Sequence, residues 1–389
     1  MPLSLYLHIP FCRQRCAYCD FNTYAGLEPL IPGYVDALRA ELCWMGEHIR
    51  ASELDGMPVH SLYFGGGTPS LLNPGLVAAM VDSAASAFRL TAGVEITLEA
   101  NPGTIDRSYL QAIRKAGVNR LSLGVQSAQA LELRMLERRH GFLDVLQAVA
   151  AARQAGFDDL SLDMIYGLPG QRLETWQASL SRILELAPDH LSLYSLSLER
   201  GVPMEHWVAR GLLPAPDPDL AADMYAWAGE RLEKAGFEQY ELSNWARPGH
   251  ESRHNLQYWR NGAYLGLGAG AHGSACGWRT VNVPGPQAYI ERMAPAAPGK
   301  FPFSPALIER LPIGRREAMN ETMILGLRLV KQGVNRRSFR RRFGRDPEEV
   351  YRVQLQEMEK AGMIERCADR LRLTRRAWLV ANQVFVHFI

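Results

Sequence analysis

The chain has 389 residues, 47% hydrophobic and 22% charged, with 43 Lys and Arg against 41 Asp and Glu for a formal net charge of +2. That length gives ample material for a large domain plus a smaller one, and the composition excludes disorder, a collagen-like repeat and a coiled-coil rod. The charge balance is too even to indicate nucleic acid or a membrane surface. No apolar run approaches the ~18 to 20 residues of a spanning helix, and the start MPLSLYLHIPFC lacks the features of a secretory signal, so a cytoplasmic protein is expected.

In chain order, short Leu-rich and β-branched runs at 3–9, 60–64, 94–98, 120–125, 160–166 and 191–198 alternate with helical periodicity at 33–49, 74–88, 108–116, 142–155 and 173–185. The rhythm is that of successive βα units. Runs such as LSLGV and LSLYSLSL read as strands of a parallel sheet buried on both faces. The expected fold class is α/β, with a partial (β/α)6 barrel as the leading architecture; an open doubly wound sheet would give much the same pattern. Past residue 198 the rhythm breaks at Pro214, Pro216 and Pro218, a helix is expected at 220–235, and an aromatic, Gly-rich stretch runs to Gly273. A Pro- and Ala-rich segment then divides the chain into a barrel with its extension over 1–283, a linker over 284–305 and a C-terminal module over 306–389. Helices at 315–331, 337–343 and 347–361 before a hairpin at 363–365 and 371–374 make that module helical and winged-helix-like.

The sharpest chemical feature is Cys12, Cys16 and Cys19, spaced C-x3-C-x2-C on one loop after the first strand. In a reducing compartment such clustered thiols read as metal ligands. A structural zinc site would need a fourth protein ligand, and the nearest, His8 and Asp20, are not at a usual zinc spacing. A [4Fe-4S] cluster held by three thiolates keeps one iron open for another ligand. The remaining cysteines, Cys43, Cys276 and Cys367, are dispersed and read as ordinary semi-buried thiols.

The segment YLHIPFCRQRCAYCDF resembles the cluster motif of radical S-adenosylmethionine (SAM) proteins, in their coproporphyrinogen-dehydrogenase-like, or HemN-like, branch. The resemblance implies a [4Fe-4S] cluster on Cys12, Cys16 and Cys19 whose open iron takes SAM and whose electron can cleave it. It also implies SAM contacts from Tyr6, Gly66, Gly67, Thr68, Glu99, Gln126, Arg138 and Asp163. The residue types suit that role: glycines permit close backbone approach, carboxylates accept from hydroxyl or amino groups, and Arg138 can pair with a carboxylate, with neighbouring Arg139 competing for the position.

Within the branch, coproporphyrinogen III oxidases carry a further Cys two residues beyond the third cluster Cys, where this sequence has Phe21, and a longer N-terminal extension. The segment HNLQYW at 254–259 is instead similar to the H-N-x-x-Y-W motif of HemW-type haem chaperones. That likeness implies haem as a ligand, with His254 as the candidate axial residue and Tyr258 and Trp259 packing on the macrocycle. His272, in GLGAGAHG, is a second candidate. The implied partners are haem and haem-accepting respiratory proteins, with a homodimer and peripheral membrane association through partners also allowed. The alternatives are the oxygen-independent oxidase, a HemN-like methyltransferase and, from the seven basic and no acidic residues of 331–345, a nucleic-acid regulator, which a solvated face or an acidic-partner surface outweighs.

Overall fold

The structure, a computed structural model, describes residues 2–294 and 299–389. Six strands follow the expected βα rhythm: β1 (Leu3–Ile9), β2 (Val59–Gly66), β3 (Leu90–Ala100), β4 (Arg120–Gln126), β5 (Leu160–Tyr166) and β6 (His190–Ser195), each parallel to its sequence neighbour. Helices Ile31–His48, Pro74–Ala87, Arg107–Lys115, Phe142–Gln154 and Leu173–Leu184 make the crossovers. The later strands of the same sheet are β7 (Glu238–Glu241), β8 (Asn244–Ala246), β9 (Tyr264–Leu267), β10 (His272–Ala275), β11 (Trp278–Asn282) and β12 (Leu307–Pro312). The sheet order is β12-β11-β10-β9-β1-β2-β3-β4-β5-β6-β8-β7. β9 adds a seventh parallel strand beside β1, while antiparallel strands extend both flanks.

The strands are not apolar on both faces, which corrects the reading of the Leu-Ser runs. Period-two alternation splits them. Leu3, Leu5 and Leu7 of β1, Leu121 and Leu123 of β4, and Leu160 and Leu162 of β5 are fully buried beneath the helices, each worth about 1.5–3 kcal/mol of burial. The opposite face carries Tyr6, Tyr63, Glu99, Ser122, Asp163 and Ser192, which all line one cavity. A sheet whose successive strands share one enclosed space must curve around it, as a partial barrel does.

The segment expected to be a linker is largely structured. Helix Pro286–Met293 packs on the first crossover helix through Tyr289, residues 295–298 lie outside the described residues, and β12 pairs with β11 in the large sheet. The boundary placed at residue 306 therefore falls just ahead of a strand of the first unit. A separate core, including Met323, Leu327, Phe339, Tyr351 and Phe388, organises the C-terminal part around helices Arg315–Leu327, Arg336–Phe343 and Arg352–Lys360 and a three-stranded sheet. Its basic helix buries Phe339 and Phe343, while Arg336 and Arg340 pair with Asp346 at 3.2 and 2.6 Å and Arg337 with Asp369 at 2.5 Å. Among the described residues no helix is long and apolar enough to cross a membrane.

Candidate functional site

The carboxyl ends of the parallel strands open onto a cavity of about 790 Å³, lined by every residue expected to hold the cluster or SAM, namely Tyr6, Cys12, Cys16, Cys19, Gly66, Gly67, Thr68, Glu99, Gln126, Arg138 and Asp163, and by His254 of the haem candidates. The cysteine loop leaves β1 through a two-residue strand, Phe11–Cys12, paired with Tyr24–Ala25. Fully buried Ala17 pins its middle, donating to the Leu136 carbonyl at 3.4 Å and accepting from the Met204 N–H at 2.9 Å. Burial pushes the Cys12 and Cys19 thiols up from their ordinary range, a penalty that bonding to a metal would remove. Cys43 and Cys367 are exposed rather than semi-buried.

The glycine turn is shaped by contact with that loop. The Gly67 N–H donates to the Ile9 carbonyl and the Thr68 N–H to the Phe11 carbonyl, both at 2.8 Å. A Cβ on Gly67 would stand 2.7 Å from the Phe11 oxygen, and one on Gly66, at φ 114°, would meet His8 at 2.4 Å. His8 itself is oriented by its Nε2, which donates to the Asn22 carbonyl at 2.9 Å, so Nδ1 accepts from the Tyr6 hydroxyl at 3.0 Å.

Glu99 accepts from the Tyr63 hydroxyl at 2.8 Å and the Gly66 N–H at 3.0 Å. Burial, with Asp163 nearby, nevertheless pushes its carboxyl up to about 7. Asp163 is also raised by burial, although Ser122 and Ser161 donate to it at 2.8 and 3.1 Å. Gln126 ends β4 at a bulge with φ 67°, a strained conformation for a side chain of its size. Gly124 makes room for it, since a Cβ there would lie 2.9 Å from the Gln126 amide nitrogen. Arg138, not on a solvated face, donates to the Gly124 carbonyl at 2.7 Å and to the Cys16 sulfur at 3.5 Å, and its buried Nε has no partner. Arg139 is exposed at the cavity rim.

The residues of 254–259 separate. They form helix Arg253–Trp259, whose first N–H groups, from Arg253 and His254, donate to the buried Glu95 carboxylate at 2.9 and 3.0 Å. His254 is 1% exposed, with Nδ1 bonded to Ser61 at 3.0 Å and Nε2 to Tyr258 at 2.8 Å, and burial lowers it to about 3. Both ring nitrogens are engaged, so the structure presents a satisfied core histidine where an open axial ligand was expected. Tyr258 lines the cavity, but Trp259 does not: it packs beneath Arg328, 4.4 Å from the guanidinium to the ring centre, where the barrel meets the C-terminal core. His272 is exposed on β10, outside the cavity lining.

The radical SAM superfamily pattern matches residues 6–183, and that of the HemN C-terminal domain matches residues 313–380. The chain is 35% identical to the haem chaperone HemW of Bacillus subtilis over 99% of both chains. It is 42% identical to the mitochondrial radical S-adenosyl methionine domain-containing protein 1 of Bos taurus over 84% of this chain and 73% of that one. The chain belongs to the HemN-like, HemW-type family of radical SAM proteins. The fold is also that of coproporphyrinogen III oxidase HemN from Escherichia coli, at a TM-score of 0.83 and 23% identity over 100% of this chain and 90% of that one.

In this HemW-type chain several further residues line the cavity without a motif to mark them. Tyr63 positions Glu99, and Thr23 and Thr97 line the cavity with buried hydroxyls that have no hydrogen-bond partner among the described residues. His190 bonds Ser161 at 2.8 Å behind Asp163. Period-two register from Asp163 is the signal that could have found Ser161, and the alternation of Tyr63 with the buried Leu62 and Phe64 the one for Tyr63; Thr23 leaves no local one.

Proposed function

We propose that this protein binds haem and passes it to haem-dependent proteins, while its barrel holds a [4Fe-4S] cluster and SAM. What carries the reading is the cavity shared by the three thiols and the SAM-motif residues, in a chain that aligns end to end with a HemW haem chaperone. The donor set suits the cluster. Three thiols open onto one space, the donor set of a cluster that keeps one iron free, whereas a structural zinc site would need a fourth protein ligand. The unpartnered Arg138 Nε and Thr97 hydroxyl, with the Glu99 and Asp163 carboxylates, supply both donors and acceptors for a zwitterionic, ribose-bearing ligand.

When bound, a three-thiolate [4Fe-4S] cluster with SAM supplies one-electron chemistry, and the protein's part is orientation and shielding. Here Gly66 and Gly67 set the close approach of the backbone, Tyr6 and Tyr63 wall the cavity, and Glu99 and Asp163 hold acceptor oxygens in place. Phe21, 64% exposed at the cavity edge, stands where the oxidase motif has its extra cysteine and brings an apolar ring in place of a thiol. Haem acceptors of the respiratory type remain the partners of this reading. The ion pairs of Arg336, Arg337 and Arg340 with Asp346 and Asp369 favour a folded, partly neutralised surface over a nucleic-acid site.

The test is one anaerobic sample of reconstituted protein carrying four irons, supplied with SAM and reductant. Stoichiometric haem uptake and transfer to an apo-haem protein are expected, without turnover of coproporphyrinogen III. Protoporphyrinogen formation without haem transfer would overturn the proposal. His254→Ala examined alongside is expected to leave the haem absorption spectrum unchanged; a shifted spectrum would restore His254 as a ligand.

A further inference from the structure

Two thiols of the cysteine loop have a hydrogen-bond donor at the sulfur, and a third hydroxyl stands unpartnered in the same cavity. Thr68, at the end of the glycine turn, donates through Oγ1 to the Cys12 sulfur at 3.5 Å. Arg138, anchored by the Gly124 carbonyl, donates through Nη1 to the Cys16 sulfur at 3.5 Å. Thr23, on the return path of the loop, is 5% exposed, its hydroxyl has no hydrogen-bond partner among the described residues, and it lines the same cavity as Cys12 and Cys19. A buried hydroxyl without a partner is costly unless something on its sulfur side takes the proton's dipole. The backbone of Thr68 is fixed independently by the Phe11 carbonyl at 2.8 Å, so its side chain is aimed rather than incidental.

Resting on the cluster-binding reading above, we infer that Thr23, Thr68 and Arg138 are positioning residues that donate to the three cluster thiolates and raise the cluster's reduction potential. Reduction adds one electron, supplied in a titration by dithionite through mediators, to a group already negative. No bond breaks and no proton is required. The added charge spreads onto the sulfurs, where O–H and N–H dipoles stabilise the reduced form more than the oxidised form, a lever by which proteins tune such clusters. Valine keeps the shape of threonine and removes the donor.

The experiment is an EPR-monitored redox titration of anaerobically reconstituted wild type, Thr68→Val, Thr23→Val and the double variant, with iron and sulfide counted in each. The double variant is expected to carry four irons and to be at least tenfold harder to reduce, about 59 mV lower for a one-electron couple. Thr68→Ser and Thr23→Ser, which keep the hydroxyl, are expected to hold the wild-type potential. Valine variants with full clusters at the wild-type potential overturn the inference while leaving the cluster reading intact. Wild type that takes up zinc, or no iron, overturns the cluster reading itself. If a valine variant fails to assemble, wild type exchanged into D2O decides: deuteron hyperfine coupling to the reduced cluster that serine variants retain supports the donors, and its absence removes them.

Discussion

Replacing Glu99 with Gln isolates the electrostatic cost built into the cavity. Glu99 is buried, and its carboxyl is pushed up from 4.5 to about 7. Below the lower value both folded and unfolded chains carry the proton and the group is neutral to stability. As pH rises through the interval the unfolded chain ionises first, so stability is lost progressively and the loss is complete above about pH 7. A displacement of that size corresponds to about 3 kcal/mol. Gln cannot ionise, and its geometry is tolerable: the amide oxygen can accept from the Gly66 N–H while the amide nitrogen donates to the Tyr63 hydroxyl, which both donates and accepts. The assay is urea unfolding of the metal-free protein at pH 5 and pH 8 at constant ionic strength. Between those limits the wild type should lose about 2.5 kcal/mol more than Glu99→Gln, because at pH 5 the unfolded chain is already partly ionised. His140 and His254, lowered to about 4 and about 3 by burial, act in the opposite direction on acidification but equally in both proteins, so the difference isolates position 99. Parallel pH profiles for the two proteins would refute the assignment of a desolvated carboxyl whose two hydrogen bonds only partly offset its burial.

Gly67→Ala should force a methyl against the Phe11 and Ile9 carbonyls at 2.7 and 2.9 Å, costing about 1–3 kcal/mol and displacing Cys12. The chain should stay folded by circular dichroism while iron content after reconstitution falls, and a full complement of iron would refute the account. Ser61→Ala leaves His254 Nδ1 without its partner and should destabilise the protein by about 1–3 kcal/mol in chemical denaturation; no loss would mean that the bond is not formed. Glu41 is fully buried and accepts from Gly268, Asn282, Tyr289 and Ser304, so Glu41→Ala strips four buried donors of their acceptor and should cost about 3 kcal/mol or more. Limited proteolysis should then open the region of helix Pro286–Met293 first, and unchanged resistance there would refute the role of Glu41 as its anchor.

Legibility in the sequence followed the range of the interaction. The cysteine spacing is local chemistry on one loop and could be read directly. The six βα units were legible because strand alternation and helical periodicity are local signals, and β1 and β5 have the limits that the sequence suggests. The inward polar face was present in the same strings, as Ser, Tyr, Glu and Asp between leucines, but its meaning depends on the sheet curving around a cavity.

What the sequence by itself determined, then, is the order of the elements and the identity of the thiol and acidic groups, since periodicity, glycine placement and ligand spacing are written over a few residues. Tertiary structure decided which side chains are available. It brought the Arg138 guanidinium to Gly124 and Cys16 and left Arg139 exposed at the rim. It placed β9 beside β1 and β12 beside β11, short strands that exist only through pairing with partners distant in the chain. It closed both nitrogens of His254, one through Ser61, 193 residues away, because a buried imidazole must satisfy its polar atoms and only the folded chain brings the partner within reach.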